Sequence, residues 1–101
     1  MRIGVASTAQ TLDADVSERF GRCPYFLIVE SDSMSCEAFA NPAAVMSGGA
    51  GPAAVQELAN RHVEVVLAGE FGPKAQQALD LAGIRGVTAR GPIRAAVAGV
   101  K

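Results

Sequence analysis

The dipeptide Gly-Pro occurs three times, at Gly51-Pro52, Gly72-Pro73 and Gly91-Pro92, and each copy precedes a helix-spaced apolar stripe. Pro suits the first helical position because the N–H it lacks would have no intrahelical partner there, and Gly is tolerated at the N-cap. The three copies therefore divide the second half of the chain into helices over residues 52–61, 73–82 and 92–97. The first carries Ala54, Val55, Leu58 and Ala59 on one face; the second carries Ala75, Ala78, Leu79 and Ala82, with Gly83 as its C-cap. Between the helices, residues 63–68 read as a buried strand, and residues 84–89 as a last short strand.

The first half has a different rhythm. Residues 2–6 read as a buried strand, and residues 7–21 as a polar loop. Residues 24–30, dense in aromatic and β-branched side chains, give the strongest strand signal in the chain. Ser31, Asp32 and Ser33 form a turn, and residues 34–40 return as a second strand, which makes an antiparallel hairpin. Residues 41–51 are a loop of small residues. The order is β-β-β-α-β-α-β-α: a mixed five-stranded α/β sheet with helices on its faces.

At 101 residues the chain is expected to form a single domain over 1–101. Half its residues are hydrophobic and 19% are charged, which excludes intrinsic disorder. Nine Lys and Arg against ten Asp and Glu leave no basic stripe for a nucleic-acid backbone. The longest uncharged run, residues 38–56, is interrupted by Pro42, Gly48, Gly49, Gly51 and Pro52, so no membrane helix is expected. The strand pattern begins at Arg2, leaving no room for a signal peptide, and two cysteines are too few for a secreted disulfide scaffold. A cytoplasmic protein is expected.

In this topology every strand but the second runs the same way, so all three helices begin at one edge of the sheet. Open α/β sheets bind ligands at that edge, and each helix start offers unpaired N–H groups with about half a positive charge. Arg19, Arg22, Cys23 and Lys74 arrive there too. The combination describes an anion pocket; the plainer reading, in which Gly-Pro is only punctuation, stands beside it. Cys23 is open to two readings, a metal-binding or nucleophilic thiol of lowered pKa, or a small buried hydrophobe. Cys36, inside a strand, reads as core. Pairing across the turn sets Cys36 opposite Ile28 or Val29, roughly 15–20 Å from Cys23, which is beyond disulfide reach.

Other constellations carry less. His62 sits at the far end of the first helix and reads as structural, and one His with two separated Cys cannot close a zinc site. Met46 reads as loop packing. Gly49 to Ala54 formally matches G-x-G-x-x-A with Glu70 as a ribose acid, but the loop before it is long and holds Pro42, against the tight strand-to-helix turn that the fingerprint needs. Asp13, Asp15 and Glu18 read as solvated loop acids. There is no Walker A sequence, no G-x-S-x-G around Ser7 and no placed catalytic base.

Several ordered segments carry a resemblance: residues 2–7 (RIGVAS), residues 16–26 (VSERFGRCPYF), Asn41-Pro42, residues 48–51 (GGAG) and residues 69–75 (GEFGPKA). Over essentially its whole length the chain resembles the dinitrogenase iron–molybdenum cofactor biosynthesis family, which includes NifX, NafY and the C-terminal domain of NifB. The resemblance implies a ribonuclease H-like fold. It also implies a non-catalytic carrier of an anionic metal–sulfur cluster, of iron–molybdenum or molybdenum/copper/iron–sulfur type, working with cluster donor and acceptor proteins. Mapped onto this sequence, the family motifs fall on Arg19, Phe20, Gly21 and Arg22, on Gly48, Gly49 and Gly51, and on Gly72 and Lys74. Cys23 stands where Ala is common in the family and would be the metal ligand. The rival reading is an enzyme or sensor that binds a nucleotide or phosphorylated metabolite at the same glycine-loop edge.

Overall fold

The computed structural model describes residues 1–100. Five strands, β1 (Arg2–Ser7), β2 (Tyr25–Glu30), β3 (Ser35–Ala40), β4 (Val65–Ala68) and β5 (Arg85–Thr88), form one sheet in the order β3-β2-β1-β4-β5. β2 is antiparallel to both β1 and β3, while β1, β4 and β5 are parallel. The helices are α1 (Ala50–Asn60), α2 (Pro73–Ala82) and α3 (Ile93–Ala98), so the element order is the one the sequence pattern implies.

Alternation along the strands separates two cores. Ala6, Phe26, Ile28, Val66 and Ala68 face α1 and α2, which bury Ala54, Val55, Leu58, Ala75 and Leu79 against them. Ile3, Val5, Leu27, Val29, Val65 and Leu67 face the other way, toward Ile93 and Val97 of α3 and toward Leu12 and Val16 of the β1–β2 loop. The two longer helices therefore share one face, and α3 alone lies on the other.

Only one Gly-Pro pair occupies the register expected of it. In α2, Gly72 is the N-cap and Pro73 opens the helix. α1 begins two residues earlier than expected, with Gly49 as N-cap, so that Gly51 and Pro52 lie inside its first turn. Pro52 is accommodated because amides of the first turn have no carbonyl partner within the helix. In α3, Pro92 is itself the N-cap. Gly83 is the C-cap of α2, as expected.

Cys36 pairs with Val29 across the hairpin, and both cysteines are free. Its expected place in the core is a misreading, for Cys36 is exposed. β3 is an edge strand, and Cys36 lies on the face where α3 packs over β1 rather than over β3. Strand membership implies burial only where a second layer covers the strand.

Candidate functional site

An open pocket of about 490 Å³ lies beyond the C-terminal ends of the parallel strands. The β1–β2 loop contributes Arg19, Phe20, Gly21 and Arg22; the start of α1 contributes Gly49, Ala50, Gly51 and Pro52; the β4–α2 segment contributes Glu70, Gly72, Pro73, Lys74 and Ala75. The volume is in the ordinary range for small-ligand sites.

Two helix N-termini open onto this space, and neither is capped by a side chain. Ala53 is the first amide of α1 to reach a backbone carbonyl, that of Gly49 (3.1 Å), and Gln76 is its counterpart in α2, donating to Gly72 (2.9 Å). The amides of Ala50, Gly51, Lys74 and Ala75 precede those bonds, so four donors and two positive dipole ends face one pocket. The helix starts can lie this close because Gly51 has no side chain: a Cβ there would stand 2.9 Å from the Ala75 Cβ. Gly49 adopts φ +72, a backbone conformation that L side chains rarely adopt.

Three cations surround these donors in different states. The Arg22 guanidinium donates to the carbonyls of Met46 and Ala44, which hold it in place, and no acid pairs with it among the described residues. Lys74 has no ion-pair or hydrogen-bond partner among the described residues. Arg19 Nε lies 3.7 Å from Glu70 Oε1. The floor is carbon: Phe20 is buried and packs in tilted contact with Phe26 and Phe71, with ring centroids 5.4 and 5.3 Å away.

Behind the pocket wall, the buried Asn41 joins the two loops. Its Nδ2 donates to the carbonyls of Gly21 (3.1 Å) and Cys23 (3.0 Å), while its Oδ1 accepts from the Ala43 amide (3.0 Å). Sequence reasoning gave Asn41 no role. An Asn two residues before the amide it caps is a recognisable turn signal, but the long-range half of the network is not local information.

The sequence-derived candidates distribute unevenly over this geometry. Arg19, Phe20, Gly21, Arg22, Gly49, Gly51, Gly72 and Lys74 all line the pocket. Gly48 does not, and neither does Cys23. The Cys23 thiol is fully buried and donates to the Phe20 carbonyl at 3.3 Å. Burial pushes its pKa up to about 12, against the smaller opposing pull of hydrogen bonds from the Ser7 backbone and Asn41. The expectation of a lowered thiol pKa is thus reversed, and of its two readings the buried hydrophobe is the one that fits. No group of three or more His, Cys, Asp or Glu able to hold a metal ion occurs among the described residues. The third helix start is also displaced from the pocket: the Gly91 carbonyl accepts from Val16 and Pro92 bridges Asp15 on the other face. Asp13 and Glu18 are exposed, as expected, but paired with Arg94 and Arg90.

The family model described as "Dinitrogenase iron-molybdenum cofactor" matches residues 1–101. The chain belongs to that family. Among solved structures, the apo form of the orange protein from Desulfovibrio gigas is similar at 41% identity and a TM-score of 0.91, covering 96% of this chain and 83% of that one. A putative NifB protein from Thermotoga is 32% identical, with a TM-score of 0.80 over 96% of this chain and 84% of that one. The structure of PH0822, at 23% identity and a TM-score of 0.82 over 97% and 87% of the two chains, shares the fold. No curated protein matches. The pocket's motifs lie within the span that matches the dinitrogenase iron–molybdenum cofactor family, and no helix among the described residues is long and apolar enough to cross a membrane.

Proposed function

We propose that this protein binds and carries an anionic metal–sulfur cluster, exchanging it with donor and acceptor proteins and doing no catalysis of its own. The observation that carries the reading is the pair of uncapped helix starts facing one pocket with Arg19, Arg22 and Lys74 around it. Uncapped amides and helix dipoles favour an anion. A mostly carbon lining with few cations suits a polarisable, sulfide-covered surface better than a strongly hydrated one. Membership of the cofactor family and the 41% identity to a protein described in an apo form point the same way.

The donor set defines how the cargo is held. With the Cys23 thiol buried and no metal-ligating cluster among the described residues, the pocket offers hydrogen bonds and charge rather than coordination. A cargo held in this way keeps its own ligands, which suits transfer between proteins.

Titration of the protein with tetrathiomolybdate, with and without copper, under anaerobic conditions and followed by visible absorption, tests the reading. Wild type should bind; Lys74→Ala should bind roughly tenfold more weakly at an unchanged melting temperature, the loss of one charge-assisted contact. A thermal shift with nucleotides and none with any thiomolybdate or cluster would transfer the pocket to the rival reading. A ligand at one hundred times its dissociation constant stabilises by about 2.7 kcal/mol, well within detection.

A further inference from the structure

The residues lining the pocket include one carboxylate, Glu70, on the rim opposite Arg22 and Lys74 in charge. Its Oε1 lies 3.7 Å from Arg19 Nε, and both side chains are mostly exposed, at 62% and 73%. Their backbones are tied together: Arg19 and Glu70 form an isolated parallel bridge, and the Phe20 amide donates to the Glu70 carbonyl at 3.2 Å. The neighbouring acid of the loop, Glu18, is held by Arg90. The main chain therefore fixes where Glu70 stands, and its mostly exposed carboxylate lies in the field of Arg90 as well as of Arg19.

Resting on the reading of the cargo as an anion, we propose that Glu70 is an internal competitor for Arg19 that keeps the bound cargo exchangeable. An anion entering the pocket engages Arg22, Lys74 and the helix amides directly, but it has to share Arg19 with the Glu70 carboxylate. It then sits beside that negative charge. So exposed a pair is weak, so it yields without closing the site. What it does is subtract from the affinity of the bound state, and losses of that kind appear mainly as faster dissociation. A pocket built only for tight binding would carry an uncharged residue at 70, and transfer between proteins requires release.

The test compares wild type, Glu70→Gln and Glu37→Gln for tetrathiomolybdate affinity and dissociation rate, read by visible absorption. Glu37 is exposed on β3 and does not line the pocket, so its replacement removes one negative charge from the molecule without touching the rim. Glu70→Gln should bind roughly three- to tenfold more tightly, chiefly through slower release, and the gain should shrink at high salt. Glu70→Ala should move in the same direction, and Glu37→Gln should match wild type. Unchanged or weaker binding by Glu70→Gln overturns the proposal, the weaker result making Glu70 a holding group instead; so does an equal gain from Glu37→Gln, which would reduce the effect to net charge. If wild type takes up no thiomolybdate, the cluster-carrier reading itself falls and this one with it; binding by wild type with an indifferent Glu70→Gln sinks the competitor alone.

Discussion

Cys23 and Cys36 are the same side chain in opposite surroundings, and the difference follows from what covers them. Cys23 follows the pocket wall beneath Asn41 and is fully buried; Cys36 stands on an edge strand and is exposed. With the Cys23 thiol pushed up to about 12 by burial, iodoacetamide at neutral pH should label Cys36 in the native protein and reach Cys23 only on unfolding, a result read by mass spectrometry of the peptides. The same shift sets an alkaline limit. The unfolded thiol ionises near its ordinary 9.0 while the folded one stays protonated, so the folded state binds the extra proton. The contribution of this group to stability should therefore be intact below about pH 9 and be lost as the pH rises from there toward about 12. Cys23→Ala should show a shallower alkaline loss in urea melts at stepped pH. An identical slope in both proteins would place the thiol at its ordinary pKa.

At the scale of elements, the decisive contact is the crossing of two helix starts at a point where a methyl group does not fit. The Cβ introduced by Gly51→Ala would stand 2.9 Å from that of Ala75, with the Ala75 backbone at 3.3 Å, so α1 and α2 must move apart. The expected cost is about 1–3 kcal/mol, seen as a lowered melting temperature, together with weakened anion binding because the amides of Ala50, Gly51, Lys74 and Ala75 no longer converge. A stable variant with wild-type affinity would show that the close approach of these helices is incidental. The elements themselves were legible in the sequence. Apolar periodicity named the helices and the buried strands, while aromatic and β-branched density with the Ser31–Ser33 turn named the hairpin. The helix starts were legible only to within two residues. Gly-Pro is compatible with the N-cap and N1, with the first turn, and with a position just ahead of the helix, and the local sequence around 51, 72 and 91 does not choose between them.

For the molecule as a whole, net charge is a poor guide to local field. The chain carries a formal charge of −1, yet its pocket gathers three cations and two positive helix ends around a single carboxylate. Binding of a thiomolybdate anion should therefore weaken roughly three- to tenfold between about 0.1 M and 1 M salt, as the Debye length falls from about 10 Å to 3 Å. Salt-independent affinity, measured by the same optical titration, would mean that shape and dispersion rather than charge hold the ligand. The long β1–β2 loop keeps its wall of the pocket because Arg94 and Arg90 pair with Asp13 and Glu18, and because the Val16 amide reaches the Gly91 carbonyl. None of these contacts is visible in a chain read residue by residue, for they join positions more than seventy residues apart.

The sequence by itself determined the order and type of the elements, and through them the edge at which the parallel strands end, because hydrophobic period and Gly-Pro spacing are local properties of the chain. Only the tertiary structure decided the rest. It placed α3 on the face away from the pocket, buried the Cys23 thiol behind the wall it was expected to arm, left Cys36 in solvent, and set Glu70 against Arg19 on the rim. Each of those outcomes depends on which layer lies over which strand and on side chains meeting across long stretches of sequence. Burial and charge pairing are properties of such neighbours, and a neighbour exists only once the chain has folded.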